Sequence, residues 1–99
     1  MEIASRQIGE EMLLEITGVI KGAGDSDKFK QEIERARSLR RLEIIIHDSF
    51  SITSTIIGYL KKKSVIDGVN LTLKVKDKRL YDLLDELNLV EAFHARLIS

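Results

Sequence analysis

The 99-residue chain contains no cysteine, which excludes a disulfide framework and any thiolate metal site. It holds two tyrosines, three phenylalanines and no tryptophan, a thin supply for the stacking platforms that bind single-stranded nucleic acid. Sixteen basic residues are cancelled by sixteen acidic ones, so no excess of positive charge points to a nucleic-acid partner. No apolar run approaches the ~20 residues needed to span a bilayer, and the opening Met1-Glu2-Ile3-Ala4-Ser5-Arg6 lacks the apolar centre of a signal peptide. The expected location is the cytoplasm, without direct membrane insertion. Histidine occurs only as His47 and His94, and no H-x-x-H or H-E-x-x-H spacing exists to hold zinc. The serines are many and none is set apart as a nucleophile with a base and an orienting acid. The residues therefore predict neither a metal, nor a cofactor, nor an enzyme.

What is present is a pattern of short apolar segments. An apolar fraction of 43% fits a globular protein. A chain of this length buries roughly 65% of its unfolded surface, enough for one core, and residues 1–99 are expected to form one domain. Ile3 to Ile8 reads as a first strand and Gly9-Glu10 as a turn. Met12, Leu14 and Ile16 alternate within Glu11 to Ile20, which predicts a second strand and hence a hairpin. Gly18, late in that strand, suggests a bulge or a close backbone approach. Lys21-Gly22-Ala23-Gly24 reads as a flexible turn, with Asp25 and Ser26 offering N-cap oxygens to a helix whose inner face carries Phe29, Ile33 and Ala36. Val69, Leu71, Leu73 and Val75 alternate with polar residues as a fourth strand. Asp77 can cap a third helix with Leu80, Leu83, Leu84 and Leu87 on its inner face. Asn88 suits the left-handed position after it, with Leu89 as the accompanying apolar contact. Ala95 to Ile98 reads as a last short strand. The predicted fold is α/β: a small mixed sheet of four to five strands, an N-terminal hairpin followed by parallel strands, packed with about three helices.

The stretch Leu42 to Leu60 organises the rest. Leu42-Glu43-Ile44-Ile45-Ile46 is a buried strand. His47-Asp48-Ser49-Phe50-Ser51-Ile52-Thr53-Ser54-Thr55 is a hydroxyl-rich loop, and a helix follows from about residue 54 to 66, with Ile56, Ile57 and Leu60 as its inner face, ended by Asp67-Gly68. In sheets of this kind ligands and partners meet the protein beyond the C-terminal ends of the parallel strands. A helix N-terminus there tolerates phosphate, so a phosphoryl group on Ser54, Thr53 or Thr55 has a chemical home. The simpler reading, an N-cap contributing about 1 kcal/mol, carries more weight on loop chemistry alone. Gly22-Ala23-Gly24 lacks the glycine and lysine pattern of a nucleotide-binding loop and reads as a strand-to-helix turn. Of Lys61-Lys62-Lys63, at least two are expected in solvent. Asp82, Asp85 and Glu86 read as the outer face of the third helix.

In their order and spacing these pieces resemble the STAS family, the anti-sigma factor antagonist domains, over nearly the whole chain. The resemblance is carried by Gly18-Val19-Ile20 at the end of the second strand. It continues in Thr53-Ser54-Thr55-Ile56-Ile57-Gly58, where the family reads Asp-Ser-Ser-Gly-Leu-Gly. Gly68-Val69-Asn70-Leu71-Thr72-Leu73 and Leu89-Val90-Glu91-Ala92-Phe93 complete it. Thr53 stands in place of the family aspartate and Lys21 where many members are acidic. Ile56 replaces the first loop glycine, and a β-branched side chain there is expected to obstruct the approach of a kinase. The usual last helix is expected to be short or absent. The resemblance implies a non-enzymatic module that binds an anti-sigma factor with serine kinase activity and is switched by phosphorylation at Ser54. It implies a contact surface of Asp48, Ser49, Ser51, Thr53, Ser54, Thr55, Ile56 and Gly58. An alternative implied by the same resemblance is a subunit of a lipid-transport ABC system that binds its ATPase without such a switch.

Overall fold

The computed structural model describes residues 1–99 as a five-stranded sheet in the order β1-β2-β3-β4-β5. The elements are β1 (Glu2–Ile8), β2 (Glu11–Thr17), α1 (Gly22–Glu34), β3 (Arg41–Ile46), α2 (Ser54–Lys61), β4 (Asn70–Val75), α3 (Lys78–Glu86) and β5 (Ala95–Leu97). β1 pairs antiparallel with β2, and β2 through β5 run parallel, as the alternation predicts. Gly9, with φ +61°, opens the two-residue hairpin turn that joins β1 and β2, a position that favours glycine.

The period-two pattern explains which side is covered. Met12, Leu14 and Ile16 of β2 lie in register with Leu42, Ile44 and Ile46 of β3 and with Leu71, Leu73 and Val75 of β4, and all nine are buried. Right-handed crossovers that all step the same way along a sheet put their helices on one face. Phe29 and Ile33 from α1, Ile56, Tyr59 and Leu60 from α2, and Leu80 and Leu84 from α3 close that face in one apolar cluster. The opposite face carries Leu13, Glu15, Glu43, Ile45, Thr72 and Lys74 and is only partly covered. There Glu15 meets His47 at 2.9 Å and Lys74 meets Glu43 at 3.5 Å.

Five details depart from the sequence expectation. β2 stops at Thr17 rather than Ile20, because Gly18 turns to φ +91°. α1 starts at Gly22, so the Gly-rich segment is its first turn. Asp25 does not precede the helix but reaches back from within it to accept the Lys21 N–H at 2.9 Å. α2 keeps α-helical geometry only to Lys61, and Lys62–Ile66 widens into a π-helical turn. Leu87, expected on the inner face of α3, is 47% exposed. Asn88 at φ 58° closes a Schellman turn in which Leu89 N–H donates to the Leu84 carbonyl and Asn88 N–H to that of Asp85. The turn sends Leu89 inward in place of Leu87. Gly68, at φ +71°, ends the π turn as the sequence predicts.

Tyr59 is the one polar side chain in the core without a partner. Its ring stands edge-on to Phe29 with centroids 6.4 Å apart. Lys63 lies over it at 5.6 Å while pairing with Glu34 and Asp67. Its hydroxyl is buried, and no acceptor meets it in hydrogen-bonding geometry. Burial first, then the nearby Glu34 carboxylate, raise its pKa above the ordinary 10.0. The folded protein thus keeps a proton that the unfolded chain releases above pH 10. Stability must fall as pH rises past that value, by up to about 1.4 kcal/mol per pH unit for this group. Tyr59→Phe is expected to be neutral or stabilising by up to about 1 kcal/mol at neutral pH and to flatten the alkaline limb. Chemical denaturation at stepped pH measures both, and a loss of more than a kcal/mol at neutral pH would show that the hydroxyl has a partner after all.

Candidate functional site

The segment between β3 and α2 crosses the C-terminal edge of the parallel strands. His47 N–H donates to the Ile16 carbonyl at 3.0 Å, the last backbone rung between β2 and β3. Beyond it, side chains take over. Asp48 Oδ1 accepts from Gly18 N–H at 2.6 Å. Ser49 Oγ accepts from Ile20 N–H at 3.0 Å and Ser51 N–H at 3.3 Å, and donates to the Ser51 carbonyl at 2.7 Å. Ser51 Oγ donates to the Ile20 carbonyl at 3.0 Å. The loop is therefore stitched to residues 18–20, so the buried polar backbone of that segment keeps its partners after the strand has ended. Gly18 is needed twice: for its φ, and because a Cβ there would stand 3.3 Å from Met1 Cα.

Thr53 is the N-cap of α2. Its Oγ1 accepts from Ile56 N–H at 3.2 Å and lies 2.7 Å from Ser26 Oγ. Ser26 Oγ in turn donates to the Gly22 carbonyl at 3.0 Å. A hydroxyl has one proton to give, so the direction is set: Ile56 N–H to Thr53, Thr53 to Ser26, Ser26 to Gly22. This chain ties the first turns of α1 and α2 together. It also assigns Thr53 the capping task that an aspartate can perform equally well.

The expected site residues now separate by what their atoms are free to do. Ser49 and Ile56 are fully buried, so neither can touch a partner, and both shape the surface from beneath. Ile56 points into the core and cannot obstruct an approaching kinase. Asp48, Ser51 and Thr53 are committed to the hydrogen bonds above. Ser54 and Thr55 are exposed, and neither side chain makes a hydrogen bond within the protein. The Ile56 and Ile57 N–H groups are taken by Thr53, through its hydroxyl and its carbonyl respectively. Those of Ser54 and Thr55 are unengaged and lie at the positive end of the helix dipole.

Around these hydroxyls the surface is mixed. Ser54, Thr55, Gly58, Lys61, Lys62 and Val65 follow one outward stripe at helical spacing, with Val65 among the most exposed apolar side chains. Lys63 faces inward, so two of the three consecutive lysines are solvated, as expected. Val19 and Phe50 add partly exposed apolar surface at the loop end. The Phe50 ring is held from the next crossover by Arg79, whose guanidinium lies 5.0 Å from the ring centroid. Arg79 is fixed in turn by Asp77, at 3.0 Å and 2.7 Å, and this pairing holds the Asp77 carboxyl below the usual carboxylate range. Asp77 also caps α3, accepting from Arg79 N–H at 2.8 Å. Sequence reasoning found the Asp77 cap. It missed the Phe50–Arg79 contact and the Ser26–Thr53 bond, since no local spacing links residues so far apart.

No group of three or more His, Asp or Glu side chains is placed to hold a metal ion, and no helix is long and apolar enough to cross a membrane. No family model, curated protein or solved structure matches the chain.

Proposed function

We propose that the protein is a STAS-type regulatory binding module, an anti-sigma factor antagonist that docks an anti-sigma factor through Phe50, Ser54, Thr55 and the outward stripe of α2 and is released by phosphorylation of Ser54. The observation that carries this reading is the division of the loop hydroxyls into those spent on the fold and those left free. Of the serines and threonines in the loop, Ser49, Ser51 and Thr53 are engaged in the fold, while Ser54 Oγ is exposed and unpartnered at the first position of α2. A phosphoryl group on it gains acceptors for the Ser54 and Thr55 N–H groups and a favourable helix end, so the modified fold remains intact. The same dianion stands in a surface that must lose water on docking, and there it is strongly unfavourable. Thr55 has an exposed hydroxyl one residue on and is the second acceptor. Modification of Thr53 would remove a cap.

The direct test is incubation with the host's cognate serine kinase and ATP, followed by mass and peptide mapping. One phosphoryl group on Ser54, absent from Ser54→Ala, is expected. No modification of Ser54 or Thr55, together with no capture of an anti-sigma factor, would sink the reading. Recovery of a transporter ATPase instead would favour the subunit role.

Gly58 gives an independent check. A Cβ built there meets nothing within 4 Å, and its backbone is helical, so packing does not require glycine. Gly58→Ala is expected to stabilise the protein by about 1 kcal/mol while weakening partner affinity, because a flat helix surface allows close approach. Thermal denaturation and a binding titration on the same variant separate the effects. Higher stability with unchanged affinity would place the contact elsewhere.

A further inference from the structure

We propose that the exposed edge of β1 is a self-pairing surface, on which a second copy of the chain adds its own β1 antiparallel about a two-fold axis at Ser5. The hydrogen-bond parity of the sheet carries this. The Ile16 and Glu10 carbonyls bond into the β3 side, at His47 N–H, Arg40 N–H and Arg41 N–H. Even-numbered β2 residues therefore face β3, and the odd-numbered Glu11, Leu13, Glu15 and Thr17 face β1. Their register partners are Ile8, Arg6, Ala4 and Glu2. The backbone groups of Ile3, Ser5 and Gln7 must then point outward from the sheet, and none of them has a partner elsewhere in the protein.

An edge of this kind is normally blunted by proline, a bulge, charged side chains or a very short strand. β1 has no proline and no bulge, its seven residues pair with β2 without interruption, and its two charges, Glu2 and Arg6, are of opposite sign. Its ends are finished, since Lys28 Nζ donates to the Met1 carbonyl and Gln7 Nε2 to that of Gly9, which leaves the outward backbone groups of Ile3, Ser5 and Gln7 free, while the Ser5 hydroxyl is turned to Glu32 of α1 at 3.2 Å. Two-fold pairing at Ser5 sets Ile3 opposite Gln7 and Ser5 opposite Ser5, so the three outward residues of each copy meet those of the other. The same register puts Glu2 of each copy diagonal to Arg6 of the other on the open face of the sheet, within reach of long side chains. The other sheet edge, β5, is only three residues long, so pairing closes as an isologous dimer rather than continuing head-to-tail. One strand edge makes a small interface, and the dimer is a weak one that forms at high protein concentration.

Sedimentation equilibrium from micromolar to millimolar protein tests this. The weight-average mass is expected to climb from 11.3 kDa toward twice that value. Ser5→Pro, which removes an outward N–H and so is tolerated on an edge strand, is expected to stay monomeric with the same circular dichroism. Hydrogen exchange of the unaltered protein gives a second reading. The Ile3, Ser5 and Gln7 amides should slow as concentration rises, while those of Glu2, Ala4, Arg6 and Ile8 stay protected throughout. Monomeric protein at millimolar concentration, or dimerisation with no slowing at those three amides, overturns the proposal. The exchange pattern decides even if Ser5→Pro fails to fold.

Discussion

Ser54→Asp is expected to lower affinity for the docked partner by roughly 30- to 1,000-fold, the equivalent of about 2–4 kcal/mol for a charge left unpaired in a desolvated contact. Ser54→Ala should bind as the unmodified protein does. The reason lies in how little the fold asks of this side chain. Ser54 Oγ is exposed and makes no internal hydrogen bond, and the cap of α2 is supplied by Thr53. A carboxylate at the first helical turn is favourable by about 0.3–1 kcal/mol, so Ser54→Asp should be at least as stable as the parent. Loss of binding with unchanged or raised melting temperature is thus the signature of an interface charge. A variant that both unfolds and fails to bind would mean that Ser54 belongs to the structure. Isothermal titration against the captured partner, with a melting curve beside each variant, distinguishes them.

Ser49→Ala is expected to destabilise by about 2–3 kcal/mol, from a buried N–H left without an acceptor. A domain of this size should then melt about 8–20 °C lower. Ser49 has no exposed surface, and its one hydroxyl serves three backbone groups, the Ile20 N–H, the Ser51 N–H and the Ser51 carbonyl. Alanine fills nearly the same space, so the loss is polar rather than steric. Because residues 48–51 hold the end of β2 to the loop, hydrogen exchange at Gly18 and Ile20 should accelerate before the rest of the sheet does. A variant that loses less than half a kcal/mol would show that water replaces the hydroxyl without cost, and that the loop is held from elsewhere.

The elements were legible because each is a local pattern. Alternation at Met12, Leu14 and Ile16 and at Leu71, Leu73 and Val75 reports a half-covered strand directly, and Asp77 and Asn88 mark the ends of α3 by backbone chemistry that needs no distant partner. Errors fell at helix ends, where the geometry of the first or last turn decides which residue takes a given place. Leu87 has the spacing of an inner-face residue, but a Schellman turn gives that place to Leu89. Asp25 has the chemistry of an N-cap, but Lys21, four residues before it, holds the cap position and Asp25 accepts its N–H from inside the helix.

The loop divides in the same way. That a hydroxyl-rich segment joins a buried strand to a helix start was readable in order from Leu42 to Leu60. Which hydroxyls remain free was not, because Ser49 and Ser51 are spent on Ile20 and Thr53 on Ser26, partners that all lie well over twenty residues away in the chain. By itself the sequence determined the α/β class, the succession of strands and helices along the chain and the location of the loop, all consequences of apolar periodicity and short connections. Only the tertiary structure decided that Ser54 and Thr55 keep free hydroxyls while Ser49, Ser51 and Thr53 do not, and that β1 leaves one edge of the sheet unpaired, since each depends on groups brought together across the fold.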